Sequence, residues 1–215
     1  MNRFYKKPNK ETIQKRQLEF SKKYTPEIKW LETNPIAQKD NFLMDSDLLG
    51  LGETWTEGGN TIDLDGRPGY FASYGKGKGV AGYTKMNLLV APEFVATNFC
   101  SAILFKTDKF DIIFLYLSNN YNQQYVSSLL NKWIQIQRPT AVIGDVNENC
   151  LEESKFEKFM KEKGLYQMVD GPTCETGSLL DHIYANDALD QIGFSIQIDS
   201  CYYSDHDIVS LYVSK

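Results

Sequence analysis

From Leu43 onward the chain sets short apolar runs between Gly, Asn and Asp, the pattern of strands joined by tight turns. Nine runs read as strands: LLGLGE (48–53), YFASY (70–74), VAGYTK (80–85), SAILFK (101–106), DIIFLYL (111–117), TAVIGDV (140–146), LLDHIYA (179–185), FSIQI (194–198) and DIVSLYV (207–213). Two segments carry the helical period instead. Val126, Leu129, Leu130, Trp133 and Ile134 fall at helical spacing before Pro139, and Phe156, Phe159 and Met160 do so before Gly164. Strand-rich halves broken by single helices predict an α/β domain of two packed mixed β-sheets flanked by helices.

Residues 1–42 read differently. Lys6, Lys7, Lys10, Lys15, Arg16, Lys22 and Lys23 crowd a segment with one candidate helix, ETIQKRQLEFSKKY, which Pro26 stops. We read residues 1–42 as a basic N-terminal extension and 43–215 as one domain, as the 215-residue length allows. The net charge of −5 hides the asymmetry: residues 1–40 hold 10 Lys/Arg against 5 Asp/Glu, leaving 13 against 23 for the remainder. That acidic body is no obvious nucleic-acid clamp; its carboxylates are solvated surface or serve metal ions. At 42% hydrophobic and 24% charged residues, with only 15 Gly and 7 Pro, the composition excludes collagen, coiled coil and wholesale disorder. Cys100, Cys150, Cys174 and Cys201 form no Cys-x-x-Cys pair and there are two histidines, which argues against structural zinc and for reduced thiols. With no apolar run of transmembrane length and no secretory leader, a soluble intracellular protein without a membrane partner is expected, a nuclear location being open to it.

Candidate chemistry collects at strand ends. Glu53 closes LLGLGE, Asp145 and Asn147 follow TAVIG, Asp181 interrupts LLDHIYA, and Ser204-Asp205-His206 precedes the last strand. Singly, each has a plainer reading as a turn or cap residue. In this order they resemble the endonuclease/exonuclease/phosphatase superfamily, over residues 43–215, through SDLLGLGETW (46–55), GKGVAGYTK (77–85), DIIFLYLSNNYN (111–122), IGDVNEN (143–149), GSLLDHIYAN (177–186) and YSDHDIVSLYV (203–213). The Glu-Thr-Trp and GKGVA stretches look most like endonuclease domains of mobile elements, of the non-long-terminal-repeat retrotransposon or Helitron type.

The resemblance implies a DNase I-like four-layer sandwich and a DNA endonuclease dependent on Mg²⁺ or Mn²⁺, hydrolysing phosphodiesters by in-line attack of water. It places Glu53 and Asp205 as metal ligands. Asp145 matches the aspartate that orients or activates the water, and Asn147 the asparagine that holds a phosphate oxygen. His206 falls on the histidine that contacts the scissile phosphate, with Asp181 as the carboxylate that orients it, the two meeting across adjacent strands. Tyr116 stands where a phenol donates to the phosphate or leaving oxygen, although it is equally an ordinary strand aromatic. Asn119, Thr173 and Ser204 are candidates for the substrate side; Thr173 reads as readily as a turn residue after Pro172. Val146 replaces the usual Phe, and Phe114 stands where relatives carry an asparagine. His182, beside Asp181, should face the other side of its strand and reads as structural. Lys76, Lys78, Lys85, Lys106 and Lys109 are candidate contacts to a DNA backbone.

One departure stands out. The family begins with a strand ending in a second metal-site asparagine, and Asn9, Asn34 and Asn41 lack the apolar run that should precede one. Two rival readings follow: another phosphoesterase of the same superfamily, or a binding domain that kept the fold and lost part of the site.

Overall fold

The computed structural model describes residues 46–54, 66–75, 77–201 and 204–213. The basic extension, with Asn9, Asn34 and Asn41, lies outside the described residues, as do Trp55 and Lys76. Elements run β1 (Leu48–Leu51), β2 (Gly69–Ser73), β3 (Gly79–Thr84), β4 (Glu93–Ala96), β5 (Cys100–Lys106), β6 (Asp111–Leu117), α1 (Gln123–Trp133) and β7 (Thr140–Asp145). They continue with α2 (Lys155–Glu162), β8 (Leu165–Gln167), β9 (Asp181–Asn186), α3 (Asp187–Asp190), β10 (Phe194–Asp199) and β11 (Ile208–Val213).

Runs that are apolar on both faces, such as those of β5 and β6, need cover on both sides. They become the middle of a six-stranded sheet ordered β4-β5-β6-β7-β9-β8, in which only the β6–β7 pair, joined through α1, is parallel. Alternation sends Leu104, Ile113, Leu115, Val142 and Tyr184 to one face, where α1 covers them with Val126, Leu130 and Trp133 and α2 with Phe156, Phe159 and Met160. Ile103, Phe105, Ile112, Phe114 and Tyr116 point to the other face, beneath Ala72 and Val80 and beside Phe194, Leu211 and Val213. Each fully buried side chain of this size contributes roughly 1.5–3 kcal/mol. Asn122 and Ser154 cap α1 and α2 by accepting from the main-chain N–H groups of Tyr125 and Glu157.

All nine expected runs form strands, most within one residue at each end and two with an edge shifted by two: β1 stops at Leu51, leaving Glu53 in the turn, and β9 starts at Asp181. The mixed pairing belongs to the six-stranded sheet alone. Among the described residues the facing layer is two separate antiparallel sheets, β1-β3-β2 and β10-β11.

Candidate active site

Register, more than any loop, assembles the site. Tyr116 on β6 pairs with Asp145 on β7, and Asp145 with Asp181 on β9, so the three lie side by side in one row at one end of the sheet. Directly opposed residues share a face. Ser101 extends the row onto β5, and its hydroxyl donates to the Lys78 carbonyl at 2.6 Å, tying the start of β3 to this rim. The N–H of Thr54 donates to the Gly79 carbonyl at 3.1 Å and fixes the turn that carries Glu53 over the row. The Tyr116 phenol lies beside the Glu53 carboxylate, and each shifts the other's ionisation.

Among the described residues, Glu53 (φ 51°) and Asn147 (φ 55°) are the only non-glycines in the left-handed region. Such positions cost on the order of 1–3 kcal/mol and persist where their surroundings over-determine them. At Asn147 the surroundings are visible. Its N–H donates to Asp145 Oδ1 at 2.8 Å, and its amide nitrogen donates to the Leu117 carbonyl at 2.8 Å and to Asp145 Oδ2 at 3.1 Å. Gly144, at φ 155°, lets β7 press against β6: a Cβ there would lie 1.8 Å from the Leu115 carbonyl oxygen. Val146 is buried in the helix-side core, so the smaller side chain is accommodated by packing.

His206 arrives from the segment ahead of β11, not from a strand beside β9 as expected. Its Nδ1 lies 2.8 Å from Asp181 Oδ2. Ser204 turns inward, its hydroxyl accepting the His206 N–H at 3.1 Å, which makes it a brace for the histidine. Residues 173–175 clasp 205–207 through Glu175 N–H to Asp205 carbonyl (2.9 Å) and Asp207 N–H to Thr173 carbonyl (2.7 Å). Of the two readings of Thr173, the structure favours a scaffold residue: it is 0% exposed, and its hydroxyl accepts from the N–H groups of Leu180 (3.1 Å) and Asp181 (2.9 Å), which positions the aspartate. Asn119 is exposed in the turn after β6, at the rim where Tyr116 lies.

The electrostatics are those of crowded acids around one cation. The hydrogen bond that His206 donates to Asp181 raises the His206 pKa to about 10 against the opposing effect of burial, with the charges of Asp181 and Asp145 adding. Burial first, then Asp181 and Glu53, lift Asp145 to about 7, while His206 and the Asn147 N–H pull the other way. Glu53 is raised by burial and by Asp205 and Asp181, with His206 and Tyr116 opposing. Burial, then Glu53 and Asp145, push the Tyr116 phenol up to about 12. Among the described residues no three His, Cys, Asp or Glu side chains form a ready-made metal cage. The donors still suit a hard cation. Mg²⁺ keeps several waters and takes one or two carboxylates, and a cation would offset the burial and, after it, the mutual repulsion that raise Glu53 and Asp145.

The lysines divide by end of strand. Lys106, paired with Glu93 at 3.4 Å, and Lys109 sit at the opposite end of β5 and β6 from Tyr116. Lys85 adjoins the start of β1, its N–H on the Asp47 carbonyl, while Glu53 follows the end. Among the described residues only Lys78 of the five stands at the site rim, and its ammonium donates to the Asn98 carbonyl at 3.4 Å. Sequence reasoning also passed over Glu148, whose acid directly after Asp-x-Asn was the available signal; its contacts are described below.

No family model and no curated protein sequence matches the chain. Solved structures do. The endonuclease domain of TRAS1, a telomere-specific non-LTR retrotransposon, is similar with a TM-score of 0.62 at 15% identity, over 82% of this chain and 89% of that one. An AP endonuclease from Archaeoglobus fulgidus gives 0.60 at 17% identity, over 85% and 93%. An endonuclease/exonuclease/phosphatase family protein from Leptotrichia buccalis gives 0.56 at 15%, over 88% and 97%. At these identities the likeness is one of fold, and the chain has the DNase I-like fold of the endonuclease/exonuclease/phosphatase superfamily.

Proposed function

We propose that the protein is a divalent-metal-dependent DNA endonuclease that hydrolyses phosphodiesters by in-line attack of water. The observation that carries this reading is the 2.8 Å Asp181–His206 pair standing at the same sheet end as Asp145 and Asn147, opposite Glu53. With Nδ1 engaged by Asp181, the charged imidazole offers Nε2–H to a phosphate oxygen whose negative charge grows in the transition state. Asp145, once ionised, orients the attacking water and accepts its proton, and Asn147 can turn a side-chain amide N–H from Asp145 Oδ2 to a second phosphate oxygen. Tyr116 and Glu53 face each other across the site, where the phenol can turn from the carboxylate to the phosphate or leaving oxygen. When bound at Glu53 with Asp205, a Mg²⁺ or Mn²⁺ ion would supply charge neutralisation at the phosphate. The likeness to the TRAS1 domain supports descent from a mobile element. No helix among the described residues is long and apolar enough to cross a membrane, and a DNA substrate is in keeping with a nuclear location.

A second reading is favoured by charge: 13 Lys/Arg against 23 Asp/Glu beyond residue 40 suits a small phosphoester better than a polyanion. Nicking of supercoiled plasmid with Mg²⁺, with Mn²⁺ and with excess chelator, beside hydrolysis of a small phosphodiester, separates the two. Metal-dependent nicking is expected. Equal nicking under chelation overturns the mechanism, and hydrolysis of the small substrate alone favours the second reading.

A further inference from the structure

The loop bearing Asp145 and Asn147 is held from beneath by two residues outside the proposed chemistry. His182 follows Asp181 on β9, so its ring turns to the helix-covered face, where the residue is 1% exposed. Its Nε2 lies 2.9 Å from the Glu148 carbonyl oxygen and 3.2 Å from that of Leu179. Two acceptors at one nitrogen put the proton there, and Nδ1 then accepts from the Tyr184 hydroxyl at 2.8 Å. Burial keeps this imidazole below its ordinary pKa, so the neutral ring is the resident form.

Glu148 reaches the other way. Tyr121 donates its hydroxyl to Oε1 at 2.7 Å, while the Ser154 hydroxyl (2.8 Å) and the Phe156 N–H (3.1 Å) donate to Oε2. Burial works against ionisation, yet these donors outweigh it and hold the carboxyl below the usual range. The charge is thus seated on the first turn of α2.

We propose that Glu148 and His182 form a clamp that keeps Asn147 left-handed and thereby sets the Asp145–Asn147 pair against the Asp181–His206 pair. Both are positioning residues, and their effect on rate rests on the phosphodiester-hydrolysis reading above. Asparagine tolerates the left-handed region better than most residues, and a residue fixed there is one that its surroundings over-determine. Asp145 and Leu117 anchor it upstream, through its own N–H and side-chain amide. Downstream the next residue is Glu148, gripped at its carbonyl by His182 and at its carboxylate by Tyr121, Ser154 and Phe156. The same imidazole takes the Leu179 carbonyl, two residues before Asp181, so one ring ties together both segments that carry reactive groups. Main-chain bonds from Val146 to Leu180 and from Cys150 to Leu179, each 3.0 Å, run alongside it.

The test compares His182→Leu and Glu148→Ala with the conservative His182→Gln, which keeps a donor near the position of Nε2. Steady-state kinetics of supercoiled-plasmid nicking and amide hydrogen exchange of the 145–150 segment are the two readouts. We expect His182→Leu and Glu148→Ala to lower kcat by roughly 10–100-fold with KM within about twofold, the scale of a small misplacement of catalytic groups. Exchange across 145–150 should quicken at least about tenfold while the core strands are unaffected, and His182→Gln should restore most of both. Should His182→Leu fail to fold, Glu148→Gln, nearly the same shape without the charge, carries the same expectation in both readouts. Unchanged kcat and exchange overturn the clamp, as does a loss confined to KM. If the wild-type protein hydrolyses no phosphoester with any metal, the hydrolysis reading falls. Exchange then decides the clamp alone: acceleration limited to 145–150 supports it, and none, or acceleration throughout the chain, overturns it.

Discussion

Asp181 and His182 are neighbours on β9, yet they serve opposite faces of the same sheet. On the helix-covered face, His182 sits among Tyr184 and two carbonyl groups, and stays neutral. On the other, Asp181 grips His206 and holds it charged. The chain's two histidines are both substantially buried, so burial alone does not decide their state. Partners do: carbonyls and a phenol satisfy a neutral ring, whereas a carboxylate selects the cation. The helix face spends its polar groups on one another, and the rim of the other face keeps an excess of carboxylate. That excess marks where an outside phosphate and a cation belong.

The largest effect that breaks this contrast is loss of the charged pair. His206→Gln is expected to lower kcat for hydrolysis by about 10³-fold, the range seen for a lost donor to a transition-state oxyanion. Asp181→Asn should lose most of the same factor, because an imidazole without its carboxylate is neither oriented nor held charged. The double variant should be no worse than the poorer single one. Additive losses would show that the two act independently. The pair also has a pH signature. Raised above about 6.5 in the folded state, His206 contributes stability that is complete below that pH and is lost as the pH climbs towards about 10. Urea midpoints measured from pH 6 to 10 should fall in wild type more steeply than in Asp181→Asn.

Asp145 is the next point of attack, and here activity and stability should part. Lifted to about 7, its carboxyl prefers the protonated form in the fold, so ionising it on the way from pH 4 to 8 destabilises the cation-free protein. Asp145→Asn removes that penalty and keeps the shape. It should abolish hydrolysis while raising cation-free stability at pH 8 by on the order of 2–4 kcal/mol, at 1.36 kcal/mol per pKa unit. The gain should shrink towards pH 4 and shrink when Mg²⁺ is added to the wild type. Denaturant unfolding at both pH values tests it; an Asn variant less stable at pH 8 would mean that hydrogen bonds from the carboxylate outweigh its burial.

Much of this architecture was legible because apolar strands announce themselves. The nine runs are long enough to alternate, and acids at their ends marked one rim. What escaped was short or depended on pairing. β4 and β8 hold four and three residues, too few for a period to show. The lysines were misplaced because sequence does not tell which end of an antiparallel pair a residue occupies; Lys106 and Ser101 share one strand and sit at opposite rims. Thr173 became a substrate candidate through its likeness to a family residue near the phosphate, and no sequence pattern shows that its hydroxyl is taken by two main-chain N–H groups. Alternation on β9 did place His182 on the far face, but nothing in the sequence identified Glu148 as its partner.

Two smaller tests sharpen the boundary between residues that react and residues that hold. Thr173→Val keeps the volume and leaves the N–H groups of Leu180 and Asp181 without an acceptor, a cost of about 1–3 kcal/mol. Thr173→Ser should recover most of it in thermal melts. If Thr173→Val were as stable as wild type, the hydroxyl would be free for another task.

The smallest effect is expected at Ser204. Its hydroxyl accepts the His206 N–H in a turn that is half-buried, so water can replace it. Ser204→Ala should therefore cost only about 0.5–1 kcal/mol. The consequence for rate is more telling than the stability. A brace that only orients the imidazole should, when removed, lower kcat a few-fold and leave both KM and the His206 titration in place, since Asp181 still holds the ring. A side chain that binds the phosphate should instead raise KM. Titrating His206 by NMR in Ser204→Ala, beside its kinetics, distinguishes the two. A KM rise with unchanged kcat would move Ser204 from the scaffold of the site to its substrate surface.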